Sequence, residues 1–253
     1  MSRDAIVSCD PAMCAALQAH GIAPGNLLML RPSSGDPLGS DLVMATPAVR
    51  SQFGGRLAGV YAPVIIASFG AGDLRIDVRA VAPDGAAAYR AALAADLAAR
   101  RDAGRELLHN PRISLSAAAS GDLAAGRVDS RLLLMLAAVL SIDPVRITAF
   151  TGSGPRAAPG VPLRSADLTV LAEAGAAPTS GTTPGTAPGA APGPGGALQR
   201  VLHFVRAQRP PFRPTRAVIV RGRTRLPQLS VQFGAPSLAG LLQARPLTSR
   251  GPA

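Results

Sequence analysis

The chain has 253 residues, 47% of them hydrophobic but only 3% aromatic, with no Trp and a formal net charge of +11. That length suits one large or two small domains, with a core of Leu, Val, Ile and Ala and no aromatic platform on which bases or sugars could stack. Every basic residue is Arg, so a P-loop, which needs Lys, is excluded, and no glycine-rich dinucleotide fingerprint is present.

The distribution of charge says more than its sum. Residues 1–196 hold 16 Arg against all 15 Asp and Glu, whereas residues 197–253 hold ten Arg and no acid. Coding bias towards Arg explains the missing Lys but not this asymmetry. The tail can attract a phosphate-bearing surface through Arg200, Arg206, Arg209, Arg213, Arg216, Arg221, Arg223 and Arg225. An anionic membrane or wall surface is the partner this suggests, with nucleic acid second because no aromatics interleave and no reading helix is evident.

In chain order, Ala5 to Val7 read as a buried strand, and Asp10 before Pro11 as a helix start. Met13, Ala16, Leu17 and His20 share a face of that helix, Gly21 closes it, and Leu27 to Leu30 form the next strand, which makes a strand–helix–strand unit of a parallel sheet. The loop Arg31 to Ser40 reads as turns. Leu42 to Ala45 is a strand, and Thr46-Pro47 opens a helix carrying Val49 and Phe53. Val64 to Ser68 and Leu74 to Val81 predict a hairpin with one wet face, because Leu74, Ile76, Val78 and Ala80 alternate with Arg75, Asp77 and Arg79. A long Ala-rich helix runs from Asp84 to about Leu108, with Leu93 and Leu97 inward and Arg100, Arg101 and Arg105 at its dipole-complementing end.

The best punctuated stretch is Asn110 to Phe150. Ile113 and Leu115 alternate with serines, and Asp129 caps a helix whose Leu132, Leu133, Leu136, Val139 and Leu140 recur at helical spacing. Pro144 ends it, and Val145, Ile147 and Ala149 alternate along a strand. A glycine-containing loop leads to a strand from Ala166 to Leu171. Residues 175–196 contain only Ala, Pro, Gly, Thr and Ser and are expected to be a flexible linker. Leu198, Val201, Leu202 and Val205 then mark an amphipathic helix, and Ala217 to Val220 and Leu229 to Phe233 two strands. That tail is too small to fold alone, so it is expected to dock on the preceding lobe.

The reading is an α/β protein, a mixed sheet with flanking helices, in as many as two lobes: residues 1–82, 83–174, the linker 175–196 and the basic tail 197–253. Cys9 and Cys14 are the only cysteines. Their spacing allows either a bridge from a strand end to the following helix or two buried thiols, and a bridge would argue for an oxidising compartment. His20, His109 and His203 lie far apart near predicted helix ends, where cationic capping is the simple reading. Ser153 sits in a flexible Gly-Ser-Gly turn with no histidine base nearby. No catalytic motif and no cofactor is expected from these residues.

Asn110-Pro111-Arg112-Ile113, Gly126-Arg127-Val128-Asp129 with its Leu-rich helix, the Val145-Arg146-Ile147 strand and Arg164-Ser165-Ala166-Asp167-Leu168 resemble an uncharacterised actinobacterial extracytoplasmic domain. More distantly they are similar to the core of zinc D-alanyl-D-alanine carboxypeptidase-like proteins of the cell wall. That resemblance implies a metal-binding aspartate at Asp167 beside a loop histidine, yet no histidine lies between His109 and His203. One hard oxygen ligand does not hold zinc, so the kinship implies a non-catalytic descendant. The first 100 residues resemble the same group, in which the domain follows a membrane anchor. The expectation is a non-enzymatic, envelope-associated binding or structural domain, extracytoplasmic if such an anchor precedes it and cytoplasmic otherwise. The alternatives are a cell-wall peptidase-like zinc hydrolase and a nucleic-acid or anionic-surface binder acting through the Arg-rich tail.

Overall fold

The computed structural model describes residues 5–32, 35–152, 157–171, 194–222, 226–237 and 239–243. The chain divides into two compact units, residues 1–97 with 154–161 and residues 98–153 with 162–253. Each is built on its own five-stranded mixed sheet with flanking helices.

In the first unit, β1 (Val7–Cys9) leads through α1 (Pro11–Ala19) to β2 (Leu27–Met29), which lies parallel to it. The local reason is visible at Asp10, whose Oδ1 accepts the Ala12 and Met13 amides at 3.0 Å each, while Pro11 needs no partner for a missing N–H. β3 (Leu42–Ala45) pairs parallel with β1 on its other side, and α2 (Pro47–Phe53) follows, capped by Thr46. β4 (Val64–Phe69) and β5 (Ile76–Ala80) complete the order β2-β1-β3-β5-β4. Val43, Ala45, Val49, Leu57 and Tyr61 form its core with Leu30 and Val81. Ala157 bridges Ala67 and the Ala158 amide donates to Ile66 at 2.9 Å, which is why this short later segment belongs to the first unit.

The hairpin departs from the expected alternation. Asp77, assigned to the wet face, is buried, and Leu74, assigned to the apolar face, is 79% exposed. Leu74 falls outside β5, in the 3₁₀ turn Gly72–Leu74, so strand parity does not govern it. Asp77 tolerates burial because Ser68 and Arg75 each donate to its Oδ1 at 2.7 Å.

Helix α3 (Ala86–Leu108) begins in the first unit and ends in the second. Its inward face carries Asp96, Arg100, Gly104 and Leu107, so Arg100 is not a solvent-facing partner of the helix dipole. Arg100 instead donates to the Gly126 carbonyl at 2.8 Å. Gly104 permits a close approach: a Cβ there would stand 2.4 Å from the Leu123 carbonyl oxygen.

The second unit contains β6 (Ile113–Leu115), α4 (Ala117–Ala124), α5 (Ser130–Ile142), β7 (Val145–Thr151), β8 (Ser165–Val170), α6 (Pro194–Arg206), β9 (Arg216–Arg221) and β10 (Pro227–Gln232). The strand order is β6-β7-β8-β10-β9; β6 and β7 are parallel, and the other neighbours are antiparallel. Pro194 to Gly196, linker by composition, open α6; residues 172–193 lie outside the described residues. Leu198, Val201, Leu202 and Val205 of α6 join Leu132, Leu136, Val139, Ile147, Leu168, Leu229 and Val231 in one core. The tail is therefore part of this unit, because β10 lies between β8 and β9 and supplies Leu229 and Val231 to the centre. No helix among the described residues is long and apolar enough to cross a membrane.

Candidate anionic-surface site

The basic segment is held in a fixed path. At the end of α6, the Arg206 guanidinium donates from Nε and Nη2 to the Ala217 carbonyl at 3.1 and 2.8 Å, joining the helix end to β9. The Phe212 amide donates to the Arg209 carbonyl at 2.8 Å, closing a turn over residues 209–212. Thr215 then donates from its amide and hydroxyl to the Gln232 carbonyl, both at 2.9 Å, and β9 pairs with β10 along all six residues.

This frame sorts the tail arginines. Arg200 is engaged with the Asp143 carboxylate of the α5 C-cap, at 3.0 and 3.2 Å, and Arg206 is engaged with Ala217. Arg209, Arg213, Arg216 and Arg221 are exposed, and their side chains make no hydrogen bond or ion pair with the described residues. Arg223 and Arg225 lie outside the described residues. These four cations lie on a braced turn and an edge strand, in a segment that contains no acid.

The interior arginines behave differently. Asp129 is fully buried; its Oδ1 accepts the Arg131 amide and Nε at 3.0 Å each, and its Oδ2 accepts Arg131 Nη2 at 3.1 Å and the Ser237 amide at 2.8 Å. Arg131 also donates to the Ala235 carbonyl and lies 4.6 Å from the Phe233 ring centre. Arg164 donates to the Gly234 carbonyl at 2.9 Å. Burial holds the Arg164 guanidinium below its ordinary range, the Asp129 charge opposes that, and the like charge of Arg131 adds to it. This cluster fixes the chain after β10 against α5 and β8. Sequence reading placed Asp129 only as a helix cap, and the signal available was Arg131 two residues on, within reach of the same carboxylate.

In the first unit, the carboxyl ends of β1 and β3 flank the point where the strand order reverses, the usual ligand position in such sheets. Here the protein fills it with its own groups. Asp10 caps α1 and accepts the Thr46 hydroxyl on Oδ2, and Thr46 caps α2. Cys9 and Cys14 form a disulfide, with Cα atoms 5.4 Å apart, that staples the end of β1 to the first turns of α1. An open cleft of about 470 Å³ in the same unit is lined by Pro47, Arg50, Gly72, Asp73, Arg75 and Asp77. Arg50 donates to the carbonyls of Ala45, Arg75 and Asp73. Burial acts to raise the Asp77 carboxyl, but the Ser68 and Arg75 hydrogen bonds and the charges of Arg75 and Arg79 outweigh it and hold the group below its ordinary 3.8.

Asp167 lies in β8 opposite Ala149 and Ser230, half-buried, on the sheet face away from the core-facing Leu168. Among the described residues no group of three His, Cys, Asp or Glu side chains could hold a metal ion. His20 is the C-cap of α1, His109 ends α3 with Nδ1 2.7 Å from the Arg105 carbonyl, and His203 lies in the last turn of α6. The fold defines the class as a two-unit α/β protein with a mixed five-stranded sheet in each unit. No protein-family model, curated protein or solved structure matches the chain.

Proposed function

We propose that the chain is a non-enzymatic, envelope-associated binding domain that docks on an anionic surface through Arg209, Arg213, Arg216 and Arg221. The observation that carries this reading is their company: four exposed guanidiniums on a braced path with no counter-acid in the segment. Cations without a counter-acid in their segment favour an external polyanion, which releases its own counterions on binding. The Cys9–Cys14 bridge supports placement in an oxidising compartment, hence outside the cytoplasm. The disulfide also keeps the β1–α1 turn in the conformation in which Asp10 caps the helix, which favours a binding scaffold over a mobile catalytic loop.

The test compares retention of the protein on phosphatidylglycerol vesicles, phosphatidylcholine vesicles and duplex DNA at matched phosphate, across a salt series. The reading predicts binding to the phosphatidylglycerol vesicles that weakens steeply with salt, and little binding to phosphatidylcholine. Tighter binding to DNA would replace the envelope reading with the nucleic-acid one.

A further inference from the structure

The open cleft of the first unit contains a carboxylate that the protein satisfies on one oxygen only. Asp77 is 6% exposed and sits on β5 between its register partners, Ser68 of β4 and Ala45 of β3. The Ser68 hydroxyl and Arg75 Nε both donate to its Oδ1, at 2.7 Å each. Its Oδ2 takes no hydrogen bond from the described residues, yet it is not sealed from solvent. The solvent it meets is that of the cleft, which Asp77 lines. Buried carboxylates ordinarily find partners for both oxygens, so an open one facing a cleft is matched to a donor from outside.

Two further groups line the same cleft with bonding capacity to spare. Asp73 is exposed, and its carboxylate makes no hydrogen bond or ion pair with the described residues. Arg75 engages Asp77 through Nε and Ser68 through Nη2 at 3.2 Å, which leaves Nη1 without a partner among them. The turn that carries both is braced, because Arg50 donates to the Asp73 and Arg75 carbonyls. A ligand that fits brings donors for two carboxylates and an acceptor for one guanidinium. A metal ion does not: a hard cation such as calcium takes about six to eight oxygens, no group of three metal-binding side chains stands among the described residues, and Arg75 repels a bare cation. A polyanion is repelled by Asp73 and Asp77. An ammonium carries three donors, and a carboxylate forms charge-assisted bonds with a guanidinium. We propose that this cleft binds a small zwitterion, a free amino acid or dipeptide, with its ammonium on Asp73 and Asp77 Oδ2 and its carboxylate on Arg75. The cleft's volume of about 470 Å³ suits a ligand of that size. The site lies wholly within the first unit and does not depend on the arginine surface of the second.

The test is an NMR titration of the isotope-labelled full chain with the common protein amino acids, one at a time, and with glycylglycine. At least one of these zwitterions is expected to shift the Asp73, Arg75 and Asp77 amides saturably. Its N-acetylated and its C-amidated forms are each expected to bind at least about tenfold more weakly, since each loses one charged contact. Asp73→Asn, at an exposed residue without partners, is expected to keep the parent's melting temperature and to lose about tenfold in affinity. The proposal is overturned if none of these compounds gives a saturable shift, or if the shifts are confined to residues outside the cleft. Equal affinity for the blocked forms, or unaltered affinity in a folded Asp73→Asn variant, would overturn it as well.

Discussion

The arginines of the first unit and those of the last helix and hairpin carry the same charge in different company. Arg50 donates to three backbone carbonyls, Arg79 to those of Ala62 and Pro63, and Arg75 pairs with buried Asp77. Arg209, Arg213, Arg216 and Arg221 have no such engagement with the described residues. The first group holds loops to a sheet, and the second is displayed by one. A net charge of +11 thus says little until each guanidinium is assigned a partner. The second unit contains its own contrast, since Arg131 and Arg164 serve the interior of the sheet whose outer strand carries Arg216 and Arg221.

The strongest way to sharpen that contrast is to remove a partner from the interior set. Asp129→Asn leaves Arg131 and Arg164 without their buried counter-charge and weakens the hold on Ser237. It is expected to cost about 3–5 kcal/mol of unfolding free energy by urea titration. A loss below 1 kcal/mol would mean that the cluster is not what fastens the segment after β10. Arg50→Ala should cost about 1–2 kcal/mol, because three carbonyls lose a donor, and should raise amide exchange in the turn 70–75 above that of the parent.

Asp77 gives the same contrast a pH dependence. Its folded pKa is depressed, so its contribution is present above the unfolded carboxyl value of about 3.9 and is lost as pH falls through the lower folded value. Thermal stability of the parent should therefore fall between about pH 4 and pH 2 more steeply than that of Asp77→Asn. Equal acid slopes would show that the Ser68 and Arg75 contacts do not discriminate between the ionised and neutral carboxyl.

The smallest expected effect on stability belongs to the exposed set. Replacing Arg209, Arg213, Arg216 and Arg221 together by Gln should change unfolding free energy by no more than about 0.5 kcal/mol per site. Loss of folding in this variant would place these arginines in the structural class and dissolve the comparison.

Much of the fold is legible where a single periodicity meets a sharp boundary. Asp129 and Pro144 bracket α5, and β7 follows with Val145 and Ile147 inward as their alternation predicts, but a register shift between Ile147 and Ala149 buries Phe150 in place of Ala149. Asp10-Pro11 and Thr46-Pro47 announce α1 and α2 through capping chemistry that acts over three residues. What sequence reading mistakes is decided by side-chain partners and close approaches that periodicity does not encode. Asp77 is buried because of Ser68 and Arg75 nearby in space, Arg100 points inward because Gly126 offers a carbonyl, and Gly104 sits on the inward face of α3 because α4 crosses it closely. The arginine surface was half legible. Composition marks the tail, but only the paths of α6 and β9 separate Arg200 and Arg206, which are engaged, from the four that are displayed.

The central claim is that the displayed arginines, and not the basic charge as a whole, make the contact with an anionic surface. The most direct test is vesicle cosedimentation, at several salt concentrations, of the parent, the four-site Gln variant and a control in which Arg101, Arg105, Arg112 and Arg146, all outside the tail, are changed to Gln. The account predicts that the four-site variant loses most of its binding to phosphatidylglycerol vesicles and much of its salt dependence, while the control keeps both. Equal losses in the two variants would contradict it, because binding would then follow net charge alone.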